Sequence, residues 1–152
     1  MGTSSVTYIQ ENGKSILVFY RHFDGYISGH GVDLGNILKG RDVVNGIQLG
    51  KESFVFNNVG CLATNVLSMV KQKTDGIGNA GGLYVLHSDF DDYIGQEYEY
   101  IIDVTPTNIH NPFSKQIVEI RVLETHSNDS NLLFKGGVEE YLEFLESDFE
   151  KM

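Results

Sequence analysis

The sequence predicts an α+β fold, a mostly antiparallel sheet of five or six strands with two main helices packed on one face, plus a short helix. Three patterns carry that expectation. Several runs rich in β-branched and aromatic residues alternate with polar ones, two segments repeat apolar residues at three and four positions, and glycine-rich stretches separate them. The chain has 152 residues, of which 41% are hydrophobic and 21% charged. That supports a real core and argues against disorder, so residues 1–152 read as a single domain.

Taken in order, residues 5–9 and 15–22 are β-rich and flank Asn12-Gly13, a pair that tolerates the positive φ angles of a type I′ turn. A hairpin opens the chain. Residues 25–31 hold three glycines and read as a loop, after which Val32, Leu34, Ile37 and Leu38 fit a short helix stopped by Gly40. Asn57 or Asn58 can cap the next helix, whose buried stripe is Leu62, Ala63, Val66, Leu67 and Val70. Four glycines between residues 75 and 82 mark a connection into a strand at 83–87. In residues 98–104, Tyr98, Tyr100, Ile102 and Val104 share one face, and Val118, Ile120 and Val122 alternate in the same way. Pro106 and Pro112 shape the loop between these two strands. Residues 132–134 suggest an edge strand, and Val138, Tyr141, Leu142, Leu145 and Phe149 form the stripe of a closing amphipathic helix with Glu139, Glu140, Glu143, Glu146 and Glu150 outside.

Charge and cysteine usage narrow the function. Eleven Lys and Arg against 21 Asp and Glu give a formal charge of −10, which disfavours a grip on nucleic acid backbone while leaving nucleic acid mimicry open. The longest apolar run, residues 16–20, is far too short to span a membrane. Nothing at the start resembles a signal peptide, and Val6 stands where a myristoylation motif wants Ser or Thr. With Cys61 as the single cysteine, an internal disulfide and a Cys-rich zinc site are excluded, and a reducing bacterial cytosol is the expected location.

The densest polar chemistry is Tyr20-Arg21-His22-Phe23-Asp24-Gly25-Tyr26-Ile27-Ser28-Gly29-His30-Gly31. Arg21 can fork onto a phosphate or carboxylate, His22 or His30 can donate to one, and Tyr26 can stack on a ring. If Arg21, His22, Asp24, Tyr26, His30, Gln96 and Tyr98 converge, they make a ligand-binding pocket for a small anionic, nucleotide-like molecule. The structural alternative is that Arg21 pairs with Asp24, Tyr26 packs, and the glycines only turn the chain.

Other chemistries find weaker patterns. Gly29-x-Gly31-x-x-x-Gly35 departs by one position from a dinucleotide loop and lacks its βαβ unit. His22, Asp24, His30 and Asp33 are metal-ligand types without a zinc spacing, and Asp89, Asp91 and Asp92 lack the rest of a calcium loop. No metal and no cofactor is expected. A hydrolase alternative uses Cys61 at a helix start as nucleophile, with His87 and Asp103 on later strands, the order of papain-like enzymes. A small buried cysteine is the competing view.

Five segments together resemble a family of small uncharacterised proteins encoded by bacteriophages and bacterial genomes. They are Met1-Gly2-Thr3, the motif of residues 20–31, Val44-Asn45-Gly46-Ile47, Gly60-Cys61-Leu62-Ala63 and Gly95-Gln96-Glu97-Tyr98. Ser4 stands where that family pattern has Arg, and Ile27 where it has Pro. The resemblance implies a phage or prophage accessory protein. Joined to the pocket, it suggests sequestration of a host defence signal by a protein that is a binder rather than an enzyme and suits a homo-oligomer. The alternative in a different class is an acidic inhibitor whose Glu-rich helix meets a basic host protein.

Overall fold

The structure is a computed structural model that describes residues 3–47, 49–74, 76, 78–107, 113–127 and 129–147. Strands β1 (Ser5–Glu11) and β2 (Lys14–Arg21) form the opening hairpin. Its turn has positive φ at both Asn12 (51°) and Gly13 (81°), as a type I′ turn requires. The turn is also tied down at long range, because Gly13 N–H donates to Asp103 Oδ1 at 2.7 Å and Asn12 N–H to the Val104 carbonyl at 3.0 Å.

Helices α1 (Val32–Leu38) and α2 (Asn58–Thr74) follow, with the short strands β3 (Asp42–Val44) and β4 (Val55–Asn57) between them. Then come β5 (Leu83–Leu86), β6 (Tyr98–Thr105), β7 (Ile117–His126), β8 (Asp129–Gly136) and α3 (Val138–Glu146). Six strands make one sheet in the order β5-β2-β1-β6-β7-β8, while β3 and β4 pair in parallel as a separate ribbon. Within the main sheet only β1 and β6 run parallel; every other pairing is antiparallel.

The two faces of the sheet differ. Ile9, Phe19, Tyr100, Ile102, Ile120 and Val122 pack with Leu34, Ile37, Leu62, Val66, Val70 and Tyr141 of the three helices in the main core. This burial holds the helices to the sheet, at about 1.5–3 kcal/mol for each large apolar side chain. On the other face Val6, Tyr8 and Val18 form a smaller cluster, joined by Tyr20, Leu86, Ile101 and Phe90 from the segment that leads from β5 to β6.

The α+β architecture, the hairpin, the three helices and the six strands of the main sheet agree with the sequence reading. Two features differ. Residues 27–31, expected as an irregular loop, form a π-helical turn, Ile27–Gly31, that runs directly into α1 because Gly31 itself has helical angles (φ −59°, ψ −43°). The β3–β4 ribbon is absent from the sequence reading, since three residues are too few to show a period. The side-chain Oδ1 atoms of Asn57 and Asn58, expected to cap α2, accept from Gly46 N–H and Gln116 Nε2, both at 2.8 Å. Expectations that involve Met1, Gly2, Asp75, Pro112, Phe149 and Glu150 lie outside the described residues. No helix of the described residues is long and apolar enough to cross a membrane.

Candidate functional site

Arg21 ends β2 on the same face as Leu17 and Phe19, so the pleat carries its guanidinium into the core, where it is 3% exposed. A charge at that depth needs partners. Arg21 Nη1 donates to Asp33 Oδ2 of α1 at 2.8 Å and to His30 Nδ1 at 3.1 Å. Because arginine only donates, His30 Nδ1 is the acceptor and the imidazole proton sits on Nε2. That proton is directed to Thr7 Oγ1 of β1, 2.7 Å away. The His30 ring is fully buried, with Tyr100 and Phe19 edge-on at centroid distances of 4.8 and 6.0 Å. Burial, followed by the Arg21 charge, lowers its pKa to about 3. His30 is therefore a fixed neutral imidazole at physiological pH and not a proton donor-acceptor for catalysis.

Further hydrogen bonds tie the same loop to three elements. His30 N–H donates to the Asp24 carbonyl and Gly25 N–H to the Thr3 carbonyl, both at 2.8 Å. Tyr100 of β6 donates to the Gly25 carbonyl and Tyr141 of α3 to the Gly31 carbonyl, both at 2.7 Å. Burial raises the Tyr141 hydroxyl pKa, which keeps it a donor. A Cβ on Gly25 would stand 2.8 Å from Ser4 backbone and Ser5 Cβ, and one on Gly29 would stand 2.6 Å from the Asp24 carbonyl oxygen. These glycines serve close packing of the loop rather than backbone approach to a ligand.

Beside this network lies a cavity of about 190 Å³ lined by Arg21, Phe23, Asp24, Thr74, Ala80, Gly81 and Gly82. The His22 N–H bond to the Gly82 carbonyl, 2.8 Å, closes one wall. Among the described residues, Arg21 Nε has no hydrogen-bond partner, and neither does the buried Oγ of Ser5, its cross-strand neighbour in β1. At the mouth, Phe23 is 53% exposed and stands edge-on to His22 at 4.4 Å. The His22 ring in turn meets the Tyr20 hydroxyl through Nδ1 at 3.0 Å, and Asp24 Oδ1 accepts from Tyr26 at 3.2 Å.

The proposed ligand set is thus divided. Arg21 and His30 meet in the core, Arg21 and Asp24 share the cavity, and His22 and Tyr26 are exposed beside it. Tyr98 shares the cross-strand row Arg21–Ser5–Tyr98 on the helix-covered face. Gln96 does not join them. Its Nε2 donates to the Asp92 carbonyl at 2.9 Å and to Glu99 Oε2 at 3.1 Å, and Glu99 also accepts from Tyr8 at 3.0 Å, on the opposite face of the sheet. Burial and the Glu99 charge raise the Tyr8 pKa. Gln96 instead lines a separate acidic hollow of about 180 Å³ with Asp91, Asp92, Glu99 and Asp129.

Arg21 pairs with Asp33 and not with Asp24. Thr7 and Asp33, the two partners that complete the buried network, lie outside the polar motif. The signal for Arg21's burial is present in the sequence, because Leu17, Phe19 and Arg21 alternate on one strand. The Cys61, His87 and Asp103 set is not assembled. Cys61 packs against the main core with Asn65 Nδ2 3.5 Å from its sulfur, Asp103 holds the hairpin turn on the other face, and His87 is exposed beyond β5. Among the described residues, no three His, Cys, Asp or Glu side chains are grouped to hold a metal ion. His30 in particular has both nitrogens engaged by protein groups. Comparison with protein-family models, curated proteins and solved structures finds no match to this chain.

Proposed function

We propose that the chain is a small-ligand binding module that takes a compact acceptor group, phosphoryl or carboxylate, at Arg21. One observation carries this reading: a buried arginine that lines a cavity has its Nη1 already satisfied, while its Nε has no partner among the described residues. A group left so is a donor in need of an acceptor. The neutral His30 and the ion-paired Asp33 hold the guanidinium in place, so its position is set before any ligand arrives. Such a module needs no catalytic group. In a phage or prophage setting it works by sequestering a nucleotide-like signal in the host cytosol, where Cys61 stays reduced.

Titration with orthophosphate followed by amide NMR tests the site. The signals of Gly81, Gly82 and Phe23 are expected to shift, with affinity in the millimolar range for so small a ligand. Ala80 is exposed, so Ala80→Leu narrows the cavity without disturbing the core, and it is expected to abolish the shifts. Shifts that persist in Ala80→Leu, or that fall elsewhere on the surface, reject the pocket.

A second reading is favoured by a groove of about 420 Å³ between α1 and α3. Leu142, Leu145 and Val32 give it apolar walls, while Glu139, Glu143 and Glu146 face a single cation, Lys39, among its described lining residues. That suits a basic amphipathic segment of a host protein. Fluorescence anisotropy with a leucine-lysine helical peptide is expected to show about tenfold weaker binding after joint Glu-to-Gln changes at 139, 143 and 146. The same charge removal at Glu11, Glu52 and Glu119 should have little effect. Equal losses in both triple variants would reduce the groove to general acidity.

A further inference from the structure

We infer that the Arg21 cavity selects a phosphate monoester carrying a planar ring, of the nucleoside monophosphate class, over the corresponding triphosphate. The inference rests on the Arg21 reading above and narrows it by size, charge and surface chemistry. A cavity of about 190 Å³ is below the roughly 300–1,000 Å³ of a pocket that encloses a whole drug-sized ligand. It takes a head group and leaves the remainder outside.

Charge sets how many phosphoryl groups are tolerated. Arg21 is the one cationic side chain among the described residues lining the cavity, and Asp33, 2.8 Å from Nη1, already offsets much of its charge. Asp24 adds a carboxylate at the same cavity, on a chain of formal charge −10. A single phosphoryl group can use the remaining guanidinium N–H donors. Each added phosphate brings more negative charge to a cavity where Asp33 and Asp24 already oppose Arg21, while the nearby Lys71 ammonium is held on the Asn79 carbonyl at 2.8 Å, so the longer chain gains less than the monoester.

The part left outside meets an aromatic surface. Phe23 forms the cavity wall and is exposed, with His22 packed against it, Tyr20 bonded to His22, and Tyr84 tilted against Tyr20 at 6.2 Å. His22 buttresses the Phe23 ring, so an exposed π-face stands beside the anion donor. Aromatic faces stack on nucleobases with little sequence preference. Asp24, held by the Tyr26 hydroxyl, supplies an acceptor for a sugar hydroxyl between the two ends.

Calorimetry on the full chain with orthophosphate, adenosine, adenosine monophosphate and adenosine triphosphate separates the terms. The monophosphate is expected to bind about tenfold or more tighter than orthophosphate, adenosine or the triphosphate. Phe23 is 53% exposed, so Phe23→Ala leaves the core intact and should bring monophosphate affinity down to that of orthophosphate. A triphosphate that binds as well as the monophosphate, or a monophosphate no better than orthophosphate, overturns the inference while the Arg21 site stands. If none of the four ligands binds, the Arg21 reading falls and takes the inference with it.

Discussion

Arg21→Ala is expected to destabilise the protein by about 3–5 kcal/mol, the range for breaking a buried ion pair from one side. The loss goes beyond one salt bridge. Removing the guanidinium leaves Asp33 without its partner and His30 Nδ1 without a donor inside the core. It also opens a void beside Ser5, whose hydroxyl already lacks a partner. Asp33→Asn should cost less, because that side chain is 18% exposed and water can partly replace the lost contact. Urea unfolding of both single variants and the double variant gives the coupling between the two sites, expected at well over 1 kcal/mol for groups in direct contact. Additive losses would mean that Arg21 owes its burial to packing of its aliphatic stem and not to Asp33.

Acid should weaken the fold through His30, most cleanly between about pH 6.5 and 5, above the ordinary range of carboxylate titration. The folded-state pKa is lowered from 6.5 to about 3, so between those values the unfolded chain binds a proton that the native chain refuses. Stability contributed by the neutral imidazole is complete above the unfolded pKa and is lost as pH falls toward the folded one. The slope approaches about 1.4 kcal/mol per pH unit, which gives a loss of about 1.5 kcal/mol from this residue between pH 6.5 and 5. Urea midpoints of the native chain and His30→Gln measure it, since glutamine keeps a donor and an acceptor but does not titrate. The variant is expected to be less stable at pH 7 and flatter with pH. Parallel pH profiles would show that His30 takes up its proton in the native state.

These results bear on what a single sequence can reveal. The hairpin was legible because Asn12-Gly13 is local chemistry, and α2 because Leu62, Val66 and Val70 repeat over several turns. The order of the strands was not, since pairing of Ser5 with Tyr98 depends on contacts that no short window contains. The polar motif was legible as important and misleading as to why. Glycine and histidine near a strand end suggest an open loop that receives a ligand. Here Gly25 and Gly29 let backbone segments touch, and His30 points into the protein, so half of the motif builds the scaffold and only Arg21, Phe23 and Asp24 reach the cavity. Gln96, grouped with these residues on the condition that distant segments converge, instead braces the loop from Asp92 to Glu99 on the reverse side through its amide.

The parallel contact between β1 and β6 has a consequence for how the chain is made. Tyr8 and Glu99, bonded across that contact, are 91 positions apart in sequence. The opening hairpin therefore waits during synthesis, its inner edge unsatisfied, until the middle of the chain has left the ribosome. Loop closure of that length precedes the β1–β6 pairing, while β1–β2, β6–β7 and β7–β8 are local hairpins, so joining the two halves of the sheet is the entropically costly step. In the interval the hairpin is a sticky nascent segment, and a ribosome stalled before β6 would release a product prone to aggregate.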